Sequence, residues 1–284
     1  MPKLYAFPKF SYADNLGIRL GGPGLGNLLF PLARAIVYSH KNNIPMINPT
    51  WINIKVGPII RKERDKRFYF NLFEPAGITG FKKYFLLNTL KKVPESHISE
   101  INSDKDAIMV FSSLRNYFED IKYDHEIVKE KILKIVKNRF LDRIDPAYNC
   151  IGLHLRLGDF TASQRMNLNW CIEVIRQVRK VIGSKTVLLF SDGKDADLDE
   201  IFRNINHIEK VFFGNAISDL IALSRCEFLI ASDSTFSGWV AYLGRMPVIF
   251  QKRHFNAIYY KKHEIEILSE RTEEVQNLLK ATGI

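Results

Sequence analysis

Residues 150–160 combine the pattern of a buried strand with two side chains that could bind an anion. Every second residue from Ile151 to Leu157 is apolar, so these side chains share one face, because side chains alternate along a strand. His154 and Arg156 share the other face. A buried guanidinium is costly unless it meets an anion, and ligands of open α/β sheets bind at the carboxyl ends of strands. The pattern favours an anion site; the alternative is a strand-end ion pair with Asp159.

Two further apolar segments end in small polar residues just before a helix is predicted. One ends in Ser191-Asp192 and the other in the Ser-Asp-Ser-Thr run at 232–235. Each alone is typical of a helix cap. Because the carboxyl ends of parallel strands meet at one edge of a sheet, the three segments together favour a ligand site in one crevice.

A nucleotide-linked diphosphate would account for the residue types at this edge. Arg156 offers a planar fork of donors that matches phosphate oxygens. The amides that begin the predicted helix at Thr235, with the hydroxyls of Ser234 and Thr235, form a second anion site. His154 and a carboxylate could read the edge of a base, and the glycines between 21 and 26 would let backbone approach the ligand.

Strands and helices alternate regularly after Asp145-Pro146, which predicts a doubly wound parallel α/β sheet. Before it, a helix is predicted from Leu28 to about Asn42, a strand at 44–47 and a basic amphipathic helix at 121–140, whereas 51–105 has no clear pattern. We therefore expect an amino-terminal domain over 1–143 and a carboxy-terminal domain over 144–284. The closing helix, near 270–280, could pack back on the first domain.

Several cofactor and metal sites are disfavoured. The glycine-rich segment lacks the spacing of the dinucleotide fingerprint and the Gly-Lys-Ser/Thr of a phosphate loop. The acidic run 195–199 lacks the central Gly and terminal Glu of a calcium loop, and acids suit a helix start. Three widely spaced cysteines argue against a disulfide framework or a zinc cluster. We expect no cofactor and no required metal, with Arg156 supplying the positive charge.

Positive charge is concentrated in the first half of the chain. The 284 residues carry a net charge of +10, of which +9 lies before Arg143. Such a half could attract an anionic membrane surface or a phosphorylated acceptor; a solvated basic face without a partner is the alternative. Nucleic acid is disfavoured because no binding signature accompanies the charge. No apolar run is long enough for a membrane helix or a signal core, so we expect a cytoplasmic protein, which could associate peripherally with the inner membrane face.

Three blocks of the sequence resemble the α-1,2-fucosyltransferases of glycosyltransferase family 11, within the inverting fucosyltransferase superfamily. Residues 22–33, Gly-Pro-Gly-Leu-Gly-Asn-Leu-Leu-Phe-Pro-Leu-Ala, are similar to its glycine-rich block. Residues 154–160, His-Leu-Arg-Leu-Gly-Asp-Phe, resemble His-x-Arg-Arg-Gly-Asp-Tyr. The third block runs from Asp219 to Leu243, and Phe190-Ser191-Asp192 matches a shorter fourth one.

The resemblance implies a GT-B enzyme, with two Rossmann-like doubly wound domains facing a central cleft. It implies metal-independent, inverting transfer of fucose from GDP-fucose to a hydroxyl of a glycan or lipid-linked glycan, as in bacterial surface polysaccharide synthesis. The carboxy-terminal domain would hold the donor and the basic one most of the acceptor site. By position the expected roles are the pyrophosphate for Arg156, guanine for His154 and Asp219, ribose and phosphates for Gly24, Gly26 and Asn27, the β-phosphate for Ser234, Thr235 and Ser237, and further donor contacts for Ser191 and Asp192.

Departures from the family pattern leave alternatives open. Leu157 stands where the motif has its second Arg, Phe160 replaces a Tyr, Gly238 a Trp and Leu28 a Gln. Another GDP-sugar, or a non-catalytic GDP-binding scaffold, therefore remains an alternative. Asp159 is the candidate general base; its other role would be to orient Arg156.

Overall fold

The computed structural model of the protein describes residues 3–12, 14, 17–60, 64–100, 105–158, 165–260 and 265–281, with only the backbone at 98–100. The chain divides into two compact units, Met1–Leu141 and Asp142–Ile284. The sequence placed this boundary after Arg143. Within the described residues, no helix is both long and apolar enough to cross a bilayer.

The first unit contains a parallel sheet of three described strands, in the order β1-β5-β4, and a separate parallel pair, β2-β3. Buried apolar side chains on both sides of β1 and β5 form its core. Its strands and α-helices are β1 (Leu4–Pro8), β2 (Arg19–Leu20), α1 (Leu25–Asn42), β3 (Asn53–Ile54), α2 (Val56–Ile60), α3 (Gly80–Thr89), β4 (Lys91–Pro94), β5 (Ala107–Phe111), α4 (His125–Ile135) and α5 (Asn138–Leu141), with short 3-10 turns at Glu95–Glu100, Tyr117–Asp120 and Lys122–Asp124.

Two predicted elements of this unit differ in the structure. The expected strand at 44–47 is not formed, because Met46 and Ile47 make only isolated bridges, to Ala6 and Ile78. The expected helix at 121–140 is divided between α4 and α5. It breaks at Val136, whose backbone is extended and bridges to another segment.

The described strands of the second unit form a six-stranded parallel sheet in the order β11-β10-β9-β6-β7-β8. Helices α6, α7 and α10 cover one face of this sheet, and α8 and α9 pack together on β9. This is the doubly wound arrangement that the sequence predicted. Its elements are β6 (Tyr148–Leu155), α6 (Leu168–Ile182), β7 (Val187–Ser191), α7 (Asp199–Asn204), β8 (Ile208–Lys210), α8 (Ala216–Leu223), β9 (Cys226–Ala231), α9 (Thr235–Gly244), β10 (Val248–Phe250), β11 (Glu266–Leu268) and α10 (Thr272–Ala281), with a 3-10 turn at Asp195–Asp197.

The closing helix α10 packs within the second unit. Val275 and Leu279 lie one turn apart on the same side of α10 and are fully buried in the core of the second unit. Their burial against α6 fixes the helix there.

Truncation of the buried side of α10 should destabilise the second unit. We expect Leu279→Ala to lower the free energy of unfolding by about 3 kcal/mol, the usual cost of a cavity in a packed core. Its neighbour Leu278 is exposed, so Leu278→Ala is the matched control and should cost less than about 1 kcal/mol. Urea unfolding of both variants measures this; equal losses would contradict the packing of α10.

Candidate active site at the carboxyl edge of the second sheet

The central strand β6 brings His154 and Arg156 to the carboxyl edge of the sheet. In its parallel register, His154 lies between Phe190 of β7 and Ala231 of β9. The apolar residues of β6 point into the core on the other face, as the alternation predicted. Leu157, two residues beyond the end of β6, is buried in the same core, at the position where the family motif has its second arginine.

Arg156 is paired with Asp192, which directly follows the neighbouring strand β7. Its Nη1 lies 3.1 Å from Oδ2 of Asp192. The other oxygen of that carboxylate, Oδ1, accepts hydrogen bonds from the backbone N–H groups of Leu157 at 2.8 Å and Gly158 at 2.9 Å. One carboxylate therefore joins the end of β7 to the end of β6 and orients the guanidinium. Asp159, the predicted base or orienting group, lies outside the described residues.

The close approach of Asp192 requires a glycine at position 158. A Cβ atom added to Gly158 would lie 2.9 Å from Oδ2 of Asp192, closer than side chains tolerate. Any larger residue would displace the carboxylate that holds Arg156. The short distance to Asp192 therefore gives a steric reason for the glycine in the Gly-Asp pair of the family motif.

His154 is buried and uncharged at neutral pH. Its Nδ1 lies 2.7 Å from Oγ of Ser237, and its ring packs at 4.8 Å on Phe236. Burial, together with the charge of Arg156, lowers the pKa of His154 to about 4, whereas Asp192 acts in the opposite direction. The neutral ring leaves Nε2 as the nitrogen that could contact a ligand.

The turn between β9 and α9 is hydrogen-bonded to the end of β6. Oγ of Ser232 accepts from the backbone N–H of Arg156 at 3.0 Å and donates to the carbonyl of His154 at 2.9 Å. Ser234 caps α9 by accepting from the N–H of Ser237 at 3.1 Å. Thr235 is the first residue of α9. The positive end of the α9 dipole therefore lies at the same edge as Arg156.

Two predicted donor-binding residues of this unit lie apart from that cluster. Ser191 pairs in register with Leu155, so it faces the other side of the sheet, where its Oγ accepts from the N–H of Gly193 at 3.0 Å. Asp219, in the first turn of α8, accepts from the N–H of Phe213 at 2.7 Å and closes the loop that follows β8.

The remaining predicted donor contacts belong to the first unit. Gly24 is the N-cap of α1, and Gly26 and Asn27 lie in its first turn. Gly24 has an extended backbone and no side chain to cap the helix, so the first amides of α1 depend on other partners. These residues form the start of α1 in the first unit.

Sequence reasoning missed the pairing of Asp233, which follows β9, with His254, which follows the neighbouring strand β10. Four residues beyond the end of β10, His254 donates its backbone N–H to Oδ1 of Asp233 at 2.9 Å, and its ring contacts the same oxygen. Burial alone would raise the pKa of Asp233, but the hydrogen bonds and charge of His254, with Arg253, hold it below its usual value. The rule that polar residues after a strand mark the site would have found this pair.

Acidic residues that suggested a metal site have other partners. Asp195 pairs with Lys210 at 2.6 Å, and Asp197 accepts from the N–H of Lys194 at 3.0 Å. In the part of the chain that the structure describes, no three potential ligand side chains are grouped around one point. Both aspartates serve the turn before α7.

In comparison with protein families, the sequence matches the model of glycosyl transferase family 11 over residues 82–264. These residues are well over half of the chain. The chain belongs to glycosyl transferase family 11. The matched range contains the His154 and Asp219–Leu243 blocks and the whole edge described above, whereas the glycine-rich block lies before it. The resemblance inferred from the motifs is confirmed, and the protein is a glycosyltransferase. No curated protein matches the sequence.

Solved structures similar to this transferase have the GT-B glycosyltransferase fold. NodZ α-1,6-fucosyltransferase co-crystallized with GDP aligns with a TM-score of 0.54 and 17% identity, over 87% of this chain and 94% of that chain. Fucosyltransferase NodZ from Bradyrhizobium aligns with a TM-score of 0.54 and 16% identity, over 89% and 96%. E. coli heptosyltransferase WaaC with ADP gives 0.52 and 10%, over 93% and 99%. The predicted fold class is confirmed.

Because Leu157 is buried, replacing it with the arginine of the family motif tests why this sequence departs from the motif there. We expect Leu157→Arg to lower the free energy of unfolding by about 3 kcal/mol or more, because it buries a charge among apolar side chains. Leu157→Met keeps volume and polarity and should cost less than about 1.5 kcal/mol. Urea unfolding gives both values. A stable Leu157→Arg variant with raised GDP affinity would show that this side chain reaches the site.

The lowered pKa of His154 predicts how stability depends on pH. Between pH 6.5 and about 4 the unfolded chain protonates this imidazole and the folded chain does not, so stability falls as pH decreases through that window. We expect wild type to lose about 2 kcal/mol more than His154→Gln across it. Urea midpoints of both proteins at several pH values measure the difference; parallel pH curves would contradict a neutral buried ring.

Proposed function

We propose that this family 11 enzyme transfers fucose from GDP-fucose to a hydroxyl of a glycan acceptor, with inversion at the anomeric carbon. The observation that carries the proposal is the guanidinium of Arg156, oriented by Asp192 at 3.1 Å beside the start of α9. A fixed guanidinium and a helix start together suit a diphosphate better than a single carboxylate.

The electrostatics of the edge support a diphosphate leaving group. His154 is neutral, so Arg156 can meet an anion without a second positive charge two residues away. Because the Arg156 side chain is partly exposed, an anion can approach it while Asp192 keeps it in place. The first amides of α9 and the hydroxyls of Ser234, Thr235 and Ser237 would bind the β-phosphate.

Similar structures support the choice of nucleotide. The NodZ structures were obtained with GDP and after soaking with GDP-fucose. In this chain Nε2 of His154 and the carboxylate of Asp219 would contact guanine, and the segment from Gly24 to Asn27 would contact the ribose and phosphates. Asp219 would have to exchange its hydrogen bond with Phe213 for one to the base.

The proposed reaction is a single displacement. An oxygen of the acceptor attacks the anomeric carbon of fucose as the bond from that carbon to the β-phosphate oxygen breaks, and GDP leaves with the bonding electrons. Arg156 and the α9 dipole stabilise the charge that develops on GDP, so no metal ion is required. Asp159 is proposed to accept the proton of the acceptor hydroxyl. An α-1,2-like linkage on a glycan or lipid-linked glycan of a bacterial surface polysaccharide is the proposed product, made at the cytoplasmic face of the membrane.

Replacement of Arg156 tests the proposal. We expect Arg156→Ala to lower kcat for fucosyl transfer by about 10²–10³-fold, the usual loss for one preorganised charge-stabilising donor. Arg203→Ala is the matched control, since Arg203 is an exposed arginine of α7 in the same unit, and should keep normal activity. GDP titration by calorimetry should show weaker binding for Arg156→Ala only.

Donor and metal dependence are measured on the same preparations. A panel of nucleotide sugars should show donor hydrolysis with GDP-fucose above GDP-mannose and ADP-heptose, and EDTA should leave the rate unchanged. Near-normal turnover of Arg156→Ala, or loss of activity with EDTA restored by a divalent ion, would reject this mechanism. Preference for another GDP-sugar would keep the mechanism and change the donor.

A further inference from the structure

Exposed apolar side chains are concentrated in one part of the first unit. Among the described residues, twelve of the sixteen large hydrophobic side chains that face solvent lie between Tyr12 and Phe85. Scattered exposed hydrophobic residues are ordinary, but a concentration of this kind marks a surface that contacts something apolar.

At the centre of this group is a small layer that buries polar side chains and exposes apolar ones. Strands β2 and β3 pair side by side, with Leu20 opposite Ile54, and the N–H of Asn53 donates to the carbonyl of Phe68 at 2.9 Å. One face of the layer is buried and carries mostly polar groups, namely Arg19, Asn53, Arg67 and Tyr69. The exposed side chains that alternate with these along the chain are all apolar, and we call them together the apolar face: Leu20, Ile52, Ile54, Phe68 and Phe70.

Contacts on the buried side fix this inversion. Arg19 is fully buried; its Nε donates to the carbonyl of Thr50 at 2.9 Å, and its guanidinium lies 5.5 Å from the ring of Phe10 and 5.9 Å from that of Tyr69. Asn53 donates to the carbonyl of Arg67 at 3.2 Å. A shift of one residue would turn the apolar side chains inward, but it would break all of these contacts. These contacts therefore keep the apolar face turned towards solvent.

The helices α2 and α3 also expose apolar side chains. In α2, which follows β3 directly, Val56, Ile59 and Ile60 are exposed, the last at 73%. In α3, Phe81, Tyr84 and Phe85 lie on one side of the helix and face solvent, with Phe81 at 81% exposed, whereas Leu86 and Leu87 are buried on the other side. Aromatic side chains on an exposed helix face are typical of segments that lie at a membrane surface.

The charge of the surroundings identifies the occupant. Lys55, Arg64 and Lys66 lie along the same segments, and the half of the chain that contains them carries +9 of the net charge of +10. An anionic bilayer complements both the apolar side chains and the positive charge. A second copy of this chain would oppose two positively charged surfaces instead.

We propose that the apolar face, together with the exposed side of α2, inserts into the interfacial layer of an anionic membrane. Lysine and arginine side chains at its border would meet lipid phosphates. This inference deepens the proposed function, because a lipid-linked acceptor would be presented at the same surface, but binding to lipid does not depend on the identity of the donor sugar.

Vesicle flotation of the full chain tests the proposal. We expect the protein to float with vesicles of phosphatidylglycerol and phosphatidylcholine at low salt, and to float less with phosphatidylcholine alone or at high salt. The variant Leu20→Ser/Ile54→Ser/Phe70→Ser should reduce the partition coefficient about tenfold or more. All three positions are exposed, so thermal unfolding should match wild type. Arg64→Glu should weaken binding to anionic vesicles alone.

The matched control removes exposed leucines from the second unit. Leu268→Ser/Leu278→Ser should bind vesicles as wild type does, since neither position belongs to the apolar face. Absence of flotation, or equal flotation of the triple variant and wild type, would overturn the proposal. So would a wild-type dimer that the triple variant abolishes without any vesicle binding, because a second copy would then cover the face. Transfer to a water-soluble acceptor and GDP binding should be unchanged in the triple variant, so failure of this inference leaves the proposed function standing.

Discussion

One carboxylate, that of Asp192, determines the geometry of the whole edge. It accepts two backbone N–H groups from the end of β6 and pairs with Arg156, so the ends of two strands and one guanidinium share a single anchor. Charge-assisted hydrogen bonds to ionised carboxylates are among the strongest that proteins form. Because a side chain at Gly158 would collide with this carboxylate, the anchor also favours a glycine three residues beyond the end of β6.

Burial on that edge separates two basic side chains into different roles. His154 and Arg156 project from the same face of β6, yet burial keeps the imidazole neutral while the guanidinium remains charged. Hydrogen bonding through Ser237 then couples the ring to the start of α9. The positive potential offered to a ligand comes from Arg156 and the helix dipole, and His154 contributes shape and hydrogen-bonding capacity.

Local signals predicted the second unit well. Alternation of apolar residues marked β6, and Ser, Asp and Thr after strands marked the helix starts, because these depend on neighbours in sequence. The sequence offered the near neighbour Asp159 as one possible partner of Arg156, and that stays a prediction; the partner that the structure describes, Asp192, comes close only when the strands pair. The side of the sheet on which Ser191 lies could not be predicted, because the face of a strand end depends on register. Residues 51–105 resisted interpretation because β3 and its neighbours place polar groups inside and apolar groups outside, against the rule that such readings use.

The exposed apolar side chains of the first unit suit an apolar environment, whereas the polar edge of the second sheet suits water. The second unit buries a conventional apolar core and places charge and hydroxyl groups where a water-soluble nucleotide could bind. The first unit buries Arg19 and Asn53 at some cost in stability and leaves Leu20, Ile54 and Phe70 in contact with water. A chain gains nothing from such a face unless another apolar phase covers it. With the donor and the lipid-linked acceptor proposed above, a surface that binds the membrane would also bring the enzyme to its acceptor.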